Sequence, residues 1–241
     1  VPTDDGFLLS TSSTGVGAIE RHRRDGSFEI VSGIGLATVA QLAVDRDHGT
    51  ELALVTGFDA PATIYRIDGA TSYELYPSRD DDVVPELTVR RVDYPSSDGT
   101  EIGLFLVHRA DVELGPDTPT ILNGYGGFAI TESPIWSPTI AAWCADGGLY
   151  AIAGLRGGFE HGEEWHAAGK RANKQNVFDD FHAAADWLVT ERITTRDRLA
   201  IAGGSNGGLL MGAAITQRPD LCRAVWCAVP LLDMIRFPDF L

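Results

Sequence analysis

The chain has 241 residues, of which 44% are hydrophobic, and its 34 acidic and 19 basic residues give a formal net charge of −15. This length and hydrophobic content suffice for one large domain or two smaller ones, and the negative charge disfavours binding to nucleic acid phosphates. The sequence contains no apolar run of the roughly 18 residues that a membrane-spanning helix needs, so we expect no membrane partner.

Lysine is nearly absent from the sequence. Lys170 and Lys174 are the two lysines, and the other basic residues are arginines. Adaptation to high salt and a GC-rich genome would both explain this composition, and the sequence leaves both open. The three cysteines, Cys144, Cys222 and Cys227, are widely spaced among apolar neighbours. We therefore expect reduced core cysteines, with neither a disulfide framework nor a metal site.

The first part of the chain, residues 6 to about 76, alternates apolar and polar residues in short runs separated by Gly, Asp and Pro. Residues 51–56 and 63–68 are two such runs, and both predict antiparallel strands. The segment is too short for a complete sandwich, and its strands have the spacing of propeller blades. We predict that residues 1–82 form the end of a β-propeller domain.

A charged stretch at residues 78–82, followed by Pro85, interrupts this pattern and is typical of a solvated connection between domains. We place a domain boundary there and assign residues 83–241 to a second domain. This domain opens with predicted strands at residues 87–94 and 102–108, which the turn signal Asp98-Gly99 connects.

After Pro119 the pattern changes to strand, glycine loop and helix. Strands are predicted at residues 120–123, 149–153, 199–202 and 224–229. Helices are predicted to begin at Ser137-Pro138, near Val177 and at Asn206, and residues 156–176 are predicted to form a long loop. This alternation predicts an α/β fold with a doubly wound, mostly parallel sheet.

Residues 203–207, with the sequence GGSNG, fit the G-x-S-x-G nucleophile elbow and lie directly between a predicted strand and a predicted helix. The glycines two residues either side of Ser205 are needed because side chains there would collide with backbone in a strained turn. The motif therefore predicts Ser205 as a nucleophile and the backbone N–H of Asn206 as an oxyanion donor. A phosphate-binding turn is the alternative, but P-loop and G-x-G-x-x-G motifs are missing.

Five short motifs follow one another along the chain: NGYGGF at residues 123–128, RGG at 156–158, ANKQN at 172–176, FDDF at 178–181 and GGSNGGLL at 203–210. Together and in this order, they resemble the motifs of the prolyl oligopeptidase family of serine peptidases. The resemblance covers about residues 87–237, and the preceding part is similar to the end of that family's propeller. It implies an α/β-hydrolase sheet and cleavage of short peptides after proline through an acyl-enzyme, with no cofactor.

The resemblance also implies roles for individual residues. Tyr125 matches the tyrosine whose hydroxyl joins the N–H of Asn206 in the oxyanion hole. Phe128 and Leu231 match apolar residues that line the pocket for the substrate proline. Without the resemblance, the residue types alone would favour packing roles for all three. Arg156 is expected to hold the long loop and not to touch substrate.

The order of residues raises a question about the catalytic triad. In an α/β hydrolase the acid and the histidine follow the serine along the chain, whereas all six histidines precede Ser205. We therefore expect a C-terminally truncated fragment that lacks the triad acid and histidine and is inactive alone. A related hydrolase (an acylaminoacyl peptidase, a basic-specific oligopeptidase or an esterase) and a non-catalytic fragment remain alternatives. We expect the full-length protein to be a cytoplasmic monomer.

Overall fold

A computed structural model of the chain describes residues 1–75 and 85–240. The charged stretch at residues 78–82 lies outside these residues, so the domain boundary that we placed there stays a prediction. The chain divides into two compact units. The first consists of Val1–Glu86 and Ser133–Ala141, and the second of Leu87–Glu132 and Ala142–Leu241. Within the described ranges, no helix is long and apolar enough to cross a membrane.

The first unit contains two antiparallel sheets, whose strands follow one another in sequence order. One sheet consists of β1 (Gly6–Ser13), β2 (Val16–Arg23) and β3 (Phe28–Val31); the other consists of β4 (Ala37–Asp45), β5 (Thr50–Gly57), β6 (Thr63–Asp68) and β7 (Thr71–Glu74). The predicted strands at residues 51–56 and 63–68 are β5 and β6. Leu8, Ile19 and Ala53, all fully buried, belong to the core of this unit.

The second unit is built on a six-stranded mixed sheet with the order β13-β12-β10-β11-β9-β8. Its strands are β8 (Leu87–Pro95), β9 (Glu101–Arg109), β10 (Thr120–Gly124), β11 (Leu149–Ala153), β12 (Leu199–Gly204) and β13 (Ala224–Ala228). β10, β11, β12 and β13 pair in parallel, whereas β8, β9 and β11 pair antiparallel. The apolar sequences of β10, β11 and β12 suit strands that are buried on both faces.

The helices largely match their predicted positions. They are α1 (Pro138–Ala145), α2 (Glu163–Ala167), α3 (Lys174–Thr190) and α4 (Asn206–Gln217). α3 buries the predicted apolar face, which includes Val177, Phe181 and Leu188, but it begins one turn earlier than expected. The predicted long loop also contains α2 and a 3-10 turn at Arg171–Asn173. Hydrophobic periodicity could not reveal α2, because none of its residues is buried.

The strand order reverses at β10, which lies between β11 and β12. In open α/β sheets, ligands bind outside the carboxyl ends of the strands at such a switch point. β10 and β12 are in register here, with Asn123 opposite Ala202, and Asn123 Nδ2 donates to the Ala202 carbonyl oxygen at 3.0 Å. The residues that follow these two strands, Tyr125 and Ser205, therefore emerge at the same edge of the sheet.

Candidate active site

Ser205 occupies a sharp turn between β12 and α4. It is exposed, and its backbone has φ 56° and ψ −117°, a conformation that L-residues rarely adopt. A Cβ atom at Gly203 would lie 2.5 Å from the Gly207 oxygen, and one at Gly207 would lie 2.8 Å from the Gly124 oxygen. Both glycines are therefore required by close backbone contacts, as the elbow motif predicts. The role of Ser205 as a nucleophile stays a prediction.

Two residues are predicted to supply oxyanion donors: Asn206, which follows Ser205 in the chain, and Tyr125, which lies beside Gly207 in the fold. Asn206 is the first residue of α4, so its N–H belongs to the first turn, whose N–H groups have no acceptor within the helix. The positive end of the helix dipole also lies there and would favour a developing negative charge. The ring of Tyr125 lies beside Gly207, where an added Cβ would be 3.6 Å from Tyr125 Cδ2. The role of the Tyr125 hydroxyl stays a prediction.

A cleft of about 610 Å³ opens next to Asn206. Apolar side chains, three cationic side chains, one histidine and glycine backbone line it. In that order, these are Phe128, Leu209 and Met234; Lys170, Arg171 and Lys174; His166; and Gly127, Gly157 and Gly169. Phe128 is 65% exposed, as a substrate-binding side chain would be. Leu231 is half-buried in the irregular segment after β13 and does not line the cleft. The structure thus brings one of the two predicted proline-pocket residues to the cleft.

Histidines of the described part of the chain make no hydrogen bond to Ser205. His166 lines the cleft, with Nδ1 2.8 Å from the Gly157 oxygen and 3.2 Å from the Ala129 nitrogen. His161 instead packs against Trp165, and their ring centroids are 4.5 Å apart. The expectation that none of the six histidines is the general base stays a prediction.

A buried ionic network supports the loop that follows β11. Arg156 donates to Asp180 through Nε at 2.9 Å and Nη2 at 2.5 Å, and to Asp98 through Nη1 at 2.6 Å, while Ser96 Oγ donates to Asp180 at 2.6 Å. Although burial lowers the pKa of Arg156, its hydrogen bonds to Asp180 and Asp98 raise it overall. The hydrogen bond from Arg156 in turn lowers the pKa of Asp98 to about 2. Arg156 therefore holds the loop, as expected from the sequence.

The side-chain contacts of Lys174 and Asn206 could not be predicted from the sequence. Lys174 Nζ donates to the Gly126 oxygen at 2.7 Å and lies 3.4 Å from Asn206 Oδ1, and burial lowers its pKa to about 8. Asn206 Nδ2 in turn donates to the Tyr125 oxygen at 2.6 Å. The rarity of lysine is the sequence feature that could have indicated a role for Lys174, because both lysines of the chain line this one cleft.

The chain is similar to proteins of one family. Residues 136–240 match the sequence model of the prolyl oligopeptidase family. An uncharacterized peptidase of Sinorhizobium fredii is 42% identical over 83% of this chain and 28% of its own length. A prolyl endopeptidase of Elizabethkingia meningoseptica is 40% identical over 77% of this chain and 26% of its own length. The chain thus spans little more than a quarter of these curated relatives.

Solved structures give the same result. A structure from a study of two prolyl endopeptidases has a TM-score of 0.89 and 38% identity, over 99% of this chain and 35% of that one. This similarity confirms the predicted fold class, an incomplete α/β-hydrolase sheet that is preceded by antiparallel strands from the end of a β-propeller. On its sequence and its fold, this chain belongs to the prolyl oligopeptidase family.

Proposed function

We propose that this chain carries the nucleophile of a serine peptidase that cleaves short peptides after proline. One observation carries the proposal: Ser205 is exposed on a strained elbow at the switch point of the sheet, directly before the first N–H of α4. A serine that only packed or ended a strand would not require this backbone conformation.

The proposed reaction begins when Ser205 Oγ attacks the peptide carbonyl carbon and gives its proton to a general base. The N–H of Asn206 and the hydroxyl of Tyr125 stabilise the negative oxygen of the tetrahedral intermediate. The C–N bond then breaks, the amine leaves with the proton, and water hydrolyses the remaining ester. We assign the base and its acid partner to a part of the protein outside this chain, because its histidines all precede the serine.

The preference for proline rests on the cleft and on the relatives. Phe128, Leu209 and Met234 offer an apolar surface beside Asn206 that suits a compact, uncharged ring. Three of the similar proteins are named prolyl endopeptidases. An arginine or lysine side chain would instead meet the cations Lys170, Arg171 and Lys174 in this cleft. We therefore favour proline over a basic residue as the P1 residue of the substrate.

The test uses the protein that the complete reading frame encodes, assayed with chromogenic peptides that carry proline or arginine before the scissile bond. Ser205→Ala should lower turnover by at least about a thousandfold and should abolish labelling by a serine-reactive phosphonate. Ser97→Ala, at an exposed serine in the turn after β8, is the matched control and should keep both properties.

Two results would contradict parts of this proposal. Full activity of Ser205→Ala, with the phosphonate on another residue, would remove Ser205 from the mechanism. Equal or faster hydrolysis of the arginine peptide would instead retain the nucleophile and refute the proline preference.

A further inference from the structure

The loop that carries Tyr125 has an unusual backbone. Gly126, Phe128 and Ala129 have φ values of 60°, 56° and 54°, so two residues with side chains adopt a left-handed conformation one after the other. This conformation is unfavourable for L-residues and persists only where surrounding contacts impose it. The position of the Tyr125 ring therefore depends on the groups that hold this loop.

Lys174 and Asn206 hold two consecutive carbonyl groups of this loop. Lys174 Nζ donates to the Gly126 oxygen at 2.7 Å, and Asn206 Nδ2 donates to the Tyr125 oxygen at 2.6 Å. Asn206 Oδ1 lies 3.4 Å from Lys174 Nζ, which connects the two donors. A Cβ atom at Gly127 would lie 2.6 Å from Asn206 Nδ2, so the loop packs directly on this amide.

The charge of Lys174 has no carboxylate partner within residues 1–75 and 85–240. Both of its hydrogen bonds go to uncharged oxygens, and the Phe178 ring centroid is 5.8 Å from Nζ. Lys170, the other lysine of the cleft, has Nζ 3.1 Å from Glu163 Oε1. Even partial burial of a cation without an anion costs free energy. We therefore expect the contacts of the half-buried Lys174 with the loop to provide a benefit that offsets this cost.

We propose that Lys174 is a positioning residue for the oxyanion hole. Its ammonium group fixes the Gly126 carbonyl and the Asn206 amide, and so holds the Tyr125 hydroxyl in place relative to the N–H of Asn206. The inference rests on the proposed function. It assigns the alignment of the two oxyanion donors to Lys174, a residue outside the elbow.

If Lys174 has this role, removing its ammonium group should affect turnover more than substrate binding. The oxyanion forms in the transition state, so misplacing one donor weakens a contact that the bound substrate does not yet make. Lys174→Met, which removes the donor and keeps the length, should lower kcat about tenfold to a hundredfold and change KM less. Gln175→Met, at the next and exposed residue of α3, removes side-chain hydrogen bonds to Asp179 and Gln217 outside the cleft and should keep kcat within about twofold.

A double-mutant cycle separates positioning from general damage to the fold. Tyr125→Phe alone should lower kcat by about 10²–10³-fold, because it removes one oxyanion donor. If Lys174 acts through Tyr125, adding Lys174→Met to Tyr125→Phe should cost only about threefold or less. An equal loss in both backgrounds would mean that Lys174 acts independently of Tyr125 and would overturn the inference.

Hydrogen exchange gives a readout that needs no catalysis. The amides of residues 124–130 should exchange faster in Lys174→Met than in the parent or in Gln175→Met, and unchanged exchange would overturn the inference. If Lys174→Met does not fold, Lys174→Gln carries the same comparison. A parent protein that hydrolyses no peptide would refute the proposed function, whereas an active parent with a fully active Lys174→Met variant would refute this inference alone.

Discussion

Two separate parts of Asn206 lie at the proposed site. Its backbone N–H is the first of α4 and lies next to Ser205, while its side-chain amide donates to the Tyr125 oxygen. The residue as a whole is 4% exposed. The elbow motif predicted the first role, because that role depends on backbone position alone. The second role depends on a loop 81 residues earlier in the chain, and no local pattern reports it.

Two acidic residues of the second unit, Glu132 and Glu160, lie next to each other. The Glu132 nitrogen donates to Glu160 Oε1 at 2.9 Å, and within the described residues Glu160 Oε2 is buried without a hydrogen-bond partner. Burial and the nearby charge of Glu160 raise the pKa of Glu132 to about 7, and burial also raises the pKa of Glu160. Folding therefore favours the protonated carboxyl groups.

A pH dependence of stability follows from this pair. Because the pKa of Glu132 is higher in the folded state, its favourable contribution is complete below its unfolded pKa and is lost as pH rises through about 7. Glu132→Gln should thus have a higher Tm than the parent at about pH 8, and the gap should close towards about pH 5. Melting curves across this range check it, with Glu101→Gln at an exposed position as control. Parallel curves for Glu132→Gln and the parent would contradict the prediction.

At the scale of elements, Arg156 connects three parts of the second unit. It follows β11 and reaches Asp180 in α3 and Asp98 in the turn between β8 and β9. Asp180 is fully buried, whereas the side chain of Asp98 is 48% exposed. One guanidinium group thus has a buried and a solvated carboxylate as partners, which allows an internal comparison.

Removing each carboxylate should have a different cost. Asp180→Asn leaves the buried charge of Arg156 without its buried partner and should lower the free energy of unfolding by about 3–5 kcal/mol. Asp98→Asn removes a solvent-screened partner and should cost about 0–1 kcal/mol. Urea unfolding of both variants at one pH provides the measurement. Similar losses for the two variants would show that burial does not determine the strength of these pairs.

The extent to which elements could be predicted depended on how local their determinants are. β6 and β11 have the predicted bounds, because an alternating run and an apolar run define them, and α4 begins at the residue that the elbow motif predicts. α2 was missed because it buries none of its residues. The cleft was harder to predict: the sequence indicated Phe128, but Leu209 and Met234 line it through the packing of distant segments, and Leu231 does not.

At the scale of the whole molecule, β13 is the edge strand of the large sheet in this structure. Val225 and Trp226 on β13 are 40% and 64% exposed, and Val229 after it is 80% exposed. Exposed apolar residues on an edge strand favour association with other chains. The net charge of −15 opposes such association through repulsion between copies, and added salt screens this repulsion.

We expect residues 1–241, expressed alone, to show no useful peptide hydrolysis. A serine hydroxyl is a weak nucleophile without a base, and no histidine of the described residues is hydrogen-bonded to Ser205. The assay compares this chain, after circular dichroism has shown that it is folded, with the product of the complete reading frame. Turnover near the rate of the complete product would mean that an upstream histidine is the base. His166→Gln would then be the first variant to test, because His166 lines the cleft.

Both lysines of the chain, Lys170 and Lys174, face one cleft, and this gives the protein a built-in chemical handle. Amine-reactive esters, which label most proteins at many surface sites, would attach to this chain only at the cleft and at a terminal amine. The lowered pKa of Lys174 increases its free-amine fraction near neutral pH, although its burial restricts access. A fluorophore introduced in this way would report ligand entry without an engineered cysteine.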